Sequence, residues 1–186
     1  DPLAGGEYIY LCTLFEAEVS LSATLLTLSE GRHPFHTNAL EAAVDWSEKQ
    51  MGIQFDPAQK QAVTQAMLSK VLVITGGPGV GKTTIIQAVK LLFEAKKLNI
   101  VMCAPTGRAA KRMFETTGNQ AKTIHRLLGF DPKKGGFIHN ERNPLEGDVF
   151  IVDEASMLDL QLAWSLIRSI PKKAVLVLVG DVNQLP

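Results

Sequence analysis

Residues Gly76-Gly77-Pro78-Gly79-Val80-Gly81-Lys82-Thr83 fit the pattern G-x-x-x-x-G-K-[ST]. Glycines let the backbone curl until several N–H groups converge, which makes a nest for an anion. A helix beginning near Lys82 aims the positive end of its dipole at the same point. In a loop of this kind the Lys82 ammonium reaches the β- and γ-phosphates of a nucleotide, and the Thr83 hydroxyl takes a place on Mg²⁺. The alternative is a glycine-rich turn that binds nothing. A complete octet, with an apolar run before it and a helical pattern after it, favours nucleotide binding.

Four further clusters carry chemistry. Asp153-Glu154-Ala155-Ser156 follows the apolar lead-in Val149-Phe150-Ile151-Val152. One carboxylate there can hold Mg²⁺ opposite Thr83, and its neighbour can orient or deprotonate an attacking water. An acidic helix start that merely satisfies the dipole is the bland alternative. The run 104–112, APTGRAAKR, brings a hydroxyl, helix-start amides and Arg108, Lys111 and Arg112 together. Those groups suit the phosphates of a second, polymeric ligand, or form an ordinary basic helix face. Thr123-Ile124-His125-Arg126 has the same character more weakly. Gly180-Asp181-Val182-Asn183-Gln184 puts polar groups where they could sense a γ-phosphate.

These clusters need positioning, and the apolar pattern supplies it. Strands are predicted at Val71 to Thr75 and at 99–104, 149–153 and 175–180, with helices at 82–96, 108–116, just after Thr123, and at 158–170. The last helix is expected to present Leu160, Ala163, Ile167 and Ile170 on one face. Near-continuous apolar strands with helical crossovers predict a parallel sheet covered on both faces, an α/β fold. Each of these strands is followed by one of the clusters above, and ligands of open α/β sheets sit beyond the carboxyl ends of the strands. Residues 129–147 interrupt the alternation with Gly, Pro and charge, and a small hairpin is expected at Phe137-Ile138.

Ahead of the first strand the pattern is helical. Leu14, Ala17, Leu21, Leu25 and Leu28 recur at steps of three and four within 8–29. After the breakers around Gly31 and Pro34, Asn38 and Glu41 resemble a capping box opening a helix, with Leu40, Ala43, Val44, Ser47 and Met51 near one face and Gly52 as its stop. Asp56-Pro57 starts a third helix, which carries Gln59, Gln61 and Gln65. The expected organisation is a small helical module, 1–54, ahead of an α/β domain, 55–186.

The totals narrow the classes. Of 186 residues 46% are hydrophobic, enough for a sizeable core. With 19 basic and 19 acidic residues, nucleic-acid binding must come from a local site and not from an overall basic field. Cys12 and Cys103 predict reduced, packed thiols and a cytoplasmic protein. His33 and His36 are expected as surface residues. No apolar stretch approaches a membrane span, and the first residues lack the basic region of a signal peptide. The chain has no initiator Met and both ends look cut, so it is expected to be a piece of a larger protein.

The runs GGPGVGKTT, APTGRAAKR, TIHRLL, VDEAS and GDVNQLP together resemble the motor core of superfamily 1 DNA helicases. Within that superfamily they are similar to the RecD-like branch, the exodeoxyribonuclease V alpha subunit and its stand-alone and TraA-type relatives. The resemblance is strong over 56–186 and loose before it. It implies a RecA-like P-loop fold and ATP-driven translocation on single-stranded DNA, 5′ to 3′, with ATP and Mg²⁺ as cofactors. By resemblance Gln59 reads adenine, and Gly76, Gly77, Pro78, Gly79, Val80, Gly81, Lys82, Thr83 and Thr84 bind the phosphates. Thr83 and Asp153 hold Mg²⁺, Glu154 activates water, and Gln184 couples the γ-phosphate to DNA. Pro105, Thr106, Arg108, Thr123 and His125 fall in segments that line the DNA path, and 129–147 lies where the branch carries a hairpin near DNA. The motifs of a second RecA-like domain, including the arginines that complete the ATP site, are not in the sequence. A missing arginine of that kind lowers turnover by about 10³–10⁵. The expected behaviour is nucleotide binding with poor hydrolysis. Other nuclease or helicase subunits are possible partners. Alternatives are a nucleotide-dependent binding module or regulatory subunit of a nuclease complex, and the helicase part of a TraA-type conjugative relaxase.

Overall fold

The apolar runs lie side by side and parallel. The computed structural model describes residues 11–35, 39–133 and 135–181. Along the chain these form α1 (Cys12–Ser29), α2 (Leu40–Met51), α3 (Pro57–Leu68), β1 (Val71–Thr75), α4 (Lys82–Ala95), β2 (Ile100–Ala104), α5 (Gly107–Thr117), β3 (Ala121–Thr123), α6 (Ile124–Leu128), β4 (Phe130–Asp131), β5 (Gly136–Phe137), β6 (Val149–Val152), α7 (Leu160–Ile167) and β7 (Val175–Gly180). Among the described residues, five strands make one sheet in the order β1-β7-β6-β2-β3. All its pairings are parallel. The register sets Thr75 beside Gly180, Val152 beside Leu178, and Ala104 beside Thr123, so the carboxyl ends of the strands share one edge.

Alternation along each strand divides the core in two. Ile151 and Val177 face α3 and α4, meeting Val63, Met67, Val89 and Phe93. Phe150, Val152 and Leu176 face the other way, toward Leu162, Leu166, Ile124 and Leu128. Every side chain of β6 is fully buried, as a strand covered on both faces must be. Each buried side chain of this size contributes about 1.5–3 kcal/mol. The sheet is consequently a rigid floor for whatever its carboxyl edge carries. β1 lies at the end of the sheet, and its Val73 is 60% exposed.

The N-terminal helices join both cores. The stripe of α1 is the predicted one: Ala17 and Leu28 are buried, and Leu21 and Leu25 pack beside them. Trp164 Nε1 on α7 donates to Ser20 Oγ at 3.0 Å. Val44 of α2 and Phe35 enter the core on the α4 side. Gly52 ends α2 in the left-handed region, at φ 67°. No helix among the described residues is long and apolar enough to cross a membrane.

Several expectations are corrected. β3 was not foreseen: Ala-Lys-Thr carries no apolar run, and its strand character comes from pairing with β2. The buried face of α7 is only partly the predicted one: Ile167 and, just beyond the helix, Ile170 are buried as expected. Leu162, Ser165 and Leu166 are buried with Ile167, whereas Leu160 and Ala163 are only half-buried. Asp159 caps that helix, accepting from the Leu162 N–H at 2.8 Å, and so sets its phase. Cys12 is exposed and not packed, because it starts α1 on the outer side; Cys103 is buried, and burial pushes its thiol up to about 12. His33 is half-buried, its ring 6.0 Å from that of Phe93. Its Nδ1 accepts from the Phe35 N–H at 3.0 Å. The N-cap of α2 is Ala39, with no side-chain cap; Asn38, like His36, lies outside the described residues. The hairpin in 129–147 pairs Phe130 with Phe137 and Asp131 with Gly136, one residue earlier than expected.

Candidate nucleotide site

The phosphate-binding loop leaves β1 at Thr75 and enters α4 at Lys82. Gly79 and Gly81 turn it through the left-handed region, with φ of 81° and 84°. Gly81 is also an approach point. A Cβ there would run into Nε2 of Gln59. Lys82 Nζ donates to the carbonyl oxygens of Gly76 and Gly77, the latter at 2.8 Å. A cavity of about 270 Å³ opens beside it, bordered by the loop, Lys82, Thr83, Arg112, Asp153 and Glu154. This is slightly below the roughly 300–1,000 Å³ of whole-ligand pockets, a size suited to a phosphate chain.

The carboxylates arrive from β6. Asp153 follows Val152 and is partly enclosed, and burial raises its carboxyl above the usual value. The Glu154 N–H, donating to Asp153 Oδ1 at 2.9 Å, works against that rise, as do the charges of Arg112 and Lys82. Glu154 holds φ 53°, a left-handed conformation that costs a non-glycine residue about 1–3 kcal/mol and recurs at functional sites. It opens the single 3₁₀ turn Ala155–Met157. Gly180 lets that turn close on β7: a Cβ there would meet the Ser156 nitrogen at 2.9 Å. The same packing sets buried Asp181 at the cavity, its N–H donating to Ser156 Oγ at 3.4 Å.

The fold thus gathers Lys82, Thr83, Asp153 and Glu154, together with the loop residues Gly77, Pro78, Gly79 and Gly81. Gly76, Val80 and Thr84 lie in the same loop and helix start without bordering the cavity. Gln59 stands behind the loop. Its Nε2 donates to the Val80 carbonyl at 3.4 Å, and its Oε1 accepts from the Asp56 N–H at 3.1 Å. Gln184 lies outside the described residues.

A second group forms beside it. β2 and β3 are neighbours, so the segments after them, 105–108 and 123–125, sit side by side. Thr106 caps α5, accepting from the Ala109 N–H at 3.2 Å, and Thr123 caps α6, accepting from the Arg126 N–H at 3.3 Å. Arg108 and His125 are exposed and Pro105 is half-buried. The rings of His125 and Phe137 are 5.7 Å apart, which joins α6 to the hairpin. The three expected phosphate cations of 104–112 separate here. Arg108 is exposed, Lys111 pairs with Glu115 at 3.7 Å, and Arg112 borders the nucleotide cavity. Arg112 is the cavity residue that motif reading did not place there, whereas Asp181 belongs to the polar cluster expected to sense a γ-phosphate. The available signal for Arg112 was its spacing, one helical turn beyond Arg108.

A strand feeding a glycine-rich loop onto a helix start, with carboxylates at the end of a strand in the same parallel sheet, defines a RecA-like P-loop nucleotide-binding fold. A family model described as an AAA domain matches residues 59–186, and the chain belongs to that family. It is 40% identical over 181 residues to the ATP-dependent RecD2 DNA helicase of Deinococcus radiodurans, covering 96% of this chain and 24% of that protein. It is 34% identical over 200 residues to the RecBCD enzyme subunit RecD of Mycobacterium tuberculosis, covering 95% and 33%. The structure of Pif1 helicase from Candida albicans superposes with a TM-score of 0.50 at 26% identity, over 72% of this chain and 34% of that one. The chain therefore spans about a quarter to a third of the length of these relatives.

Proposed function

We propose that this chain is the first motor domain of a RecD-like ATP-dependent DNA helicase acting in recombination and repair. The observation that carries the reading is the meeting of Lys82, Thr83, Asp153 and Glu154 around one cavity at the carboxyl ends of β1 and β6. The likeness to RecD2 and RecD proteins supports it.

In this reading the loop amides and Lys82 hold the β- and γ-phosphates of ATP, and Gln59 reads the adenine. Lys82 is pre-positioned, since its ammonium needs only to exchange two loop carbonyls for phosphate oxygens. The hydroxyl of Thr83 and the carboxylate of Asp153 are oxygen donors of the kind a hard cation takes, and would hold Mg²⁺. Bound there, the ion would neutralise charge on the phosphate oxygens. Glu154 orients a water and accepts its proton as the water oxygen bonds to the γ-phosphorus and the bond to the ADP oxygen breaks. Gln184 relays the state of the γ-phosphate. Single-stranded DNA runs over Pro105, Thr106, Arg108, Thr123 and His125, with 5′-to-3′ movement once a second RecA-like domain closes on this one. The chemistry lies in 55–186, with 1–54 as a helical module ahead of it. The setting is cytoplasmic, and other helicase or nuclease subunits are the partners.

The test is a titration of a Mg²⁺–ATP analogue, with and without an oligo-dT strand, using Lys82→Ala as control. Lysine-dependent binding that DNA tightens or weakens is expected, because coupling is reciprocal. Analogue affinity unchanged in Lys82→Ala would remove the nucleotide site.

A further inference from the structure

Arg112 stands at the nucleotide cavity although neither the phosphate loop nor the carboxylate pair requires it. It arrives on α5, whose buried face of Ala109, Ala110 and Met113 fixes the helix on the sheet. β6 lies between β2 and the β7–β1 side of the sheet. Lys82 therefore approaches the cavity from β1, Arg112 from β2, and Asp153 and Glu154 lie between them.

The guanidinium is available. Lys111 is held by Glu115 at 3.7 Å, whereas Arg112 forms no ion pair within 4.0 Å among the described residues. It is still close enough to Asp153 for its charge to oppose the rise that burial causes there. A Mg²⁺-bound triphosphate brings about two net negative charges at neutral pH, and Lys82 supplies one positive charge. A planar guanidinium can grip two phosphate oxygens at once, which a lysine ammonium cannot match. Arg112 lines the same cavity as Asp153 and Glu154, near enough to Asp153 for their charges to interact.

We propose that Arg112 is a second phosphate cation supplied within this chain, which contacts the γ-phosphate and distinguishes nucleoside triphosphate from diphosphate. The proposal rests on the nucleotide site described above and adds a residue to it. Lys82 also reaches the β-phosphate that both nucleotides carry, whereas Arg112 holds only the one that hydrolysis removes.

The experiment titrates a fluorescent non-hydrolysable ATP analogue and the matching fluorescent ADP, each with Mg²⁺, into the unaltered chain, Arg112→Ala, Arg112→Lys and Lys82→Ala. Arg112→Ala is expected to weaken the triphosphate about tenfold or more, the scale of a charge-assisted hydrogen bond, and the diphosphate by less than about threefold. Arg112→Lys, which keeps the charge and loses the fork, is expected to fall between, and it serves alone if the alanine variant does not fold. Equal weakening of the two nucleotides, or no change in either variant, overturns the proposal while the site stands on its Lys82 dependence. Nucleotide binding that ignores Lys82→Ala takes down the site and this proposal together.

Discussion

Gln59 donates its side-chain amide to the Val80 carbonyl at 3.4 Å, tying the first turn of α3 to the phosphate-binding loop. The other end of that amide accepts from the Asp56 N–H, and Asp56 in turn accepts from the Gln59 N–H at 2.9 Å, a complete capping box. One side chain therefore serves helix and loop, and the two roles separate by substitution. Gln59→Ala is expected to lower stability by about 1 kcal/mol through the lost cap. Gln59→Glu keeps the acceptor at a helix start and is expected to stay within about 0.5 kcal/mol. Both should narrow the preference for ATP over GTP in competition titrations. A glutamate variant with full preference would exclude Gln59 from base recognition.

Asp153 bears on stability as well as on the proposed Mg²⁺ site. Burial raises its folded pKa, so the group favours the fold at pH below its unfolded value, and that contribution is lost as pH rises through the raised value. At pH 7 the ionised carboxylate is a burden on the nucleotide-free protein. Asp153→Asn is expected to raise its Tm by about 2–4 °C at pH 7. The gain should vanish near pH 3, where the native carboxyl is protonated, and Mg²⁺-dependent nucleotide binding should be lost. A lower Tm at pH 7 would mean that Arg112 and Lys82 outweigh the desolvation.

Glu48 has the opposite sign. It accepts from the Phe55 N–H at 2.6 Å and from Lys60 Nζ at 3.1 Å, and these bonds hold its carboxyl below the usual value. Its contribution is present above the unfolded pKa near 4.5 and disappears as pH falls through the lowered one. Glu48→Gln should lower Tm at pH 7 and leave it nearly unchanged at pH 3. Parallel losses at both pH values would point to packing and not charge.

Leu28 tests how far α1 belongs to the fold. It is 3% exposed and packs in the core that includes Leu166 and Phe150. Leu28→Ala is expected to cost about 2–5 kcal/mol by denaturant unfolding. Leu26→Ala, on the exposed side of the same helix, should stay within about 0.5 kcal/mol. Equal effects would deny α1 its place in the core.

The parts of the fold legible in the sequence are those whose signal is local. β1, β6 and β7 are unbroken apolar runs, and the phosphate loop, Asp56-Pro57 and the carboxylate pair are contiguous. What escaped depends on contacts between distant segments. β3 is a strand because β2 lies beside it, and Arg112 reaches the cavity because α5 is laid across the sheet at one angle. His33, a polar residue in a breaker-rich loop, gave no hint that Phe93 would take one face of its ring.

Val73 lies on a strand that has β7 on one side and, among the described residues, no strand on the other. Five consecutive residues of this edge are apolar or β-branched, without the lysine, proline or bulge that blunts exposed strands. In solution such an edge is a template, and any extended segment that meets it can add as a sixth strand. An exposed edge of this kind favours association through the strand beneath the phosphate loop rather than through the nucleotide cavity. Lysine at position 73 would place a charge on that edge and keep the nucleotide cavity free of it.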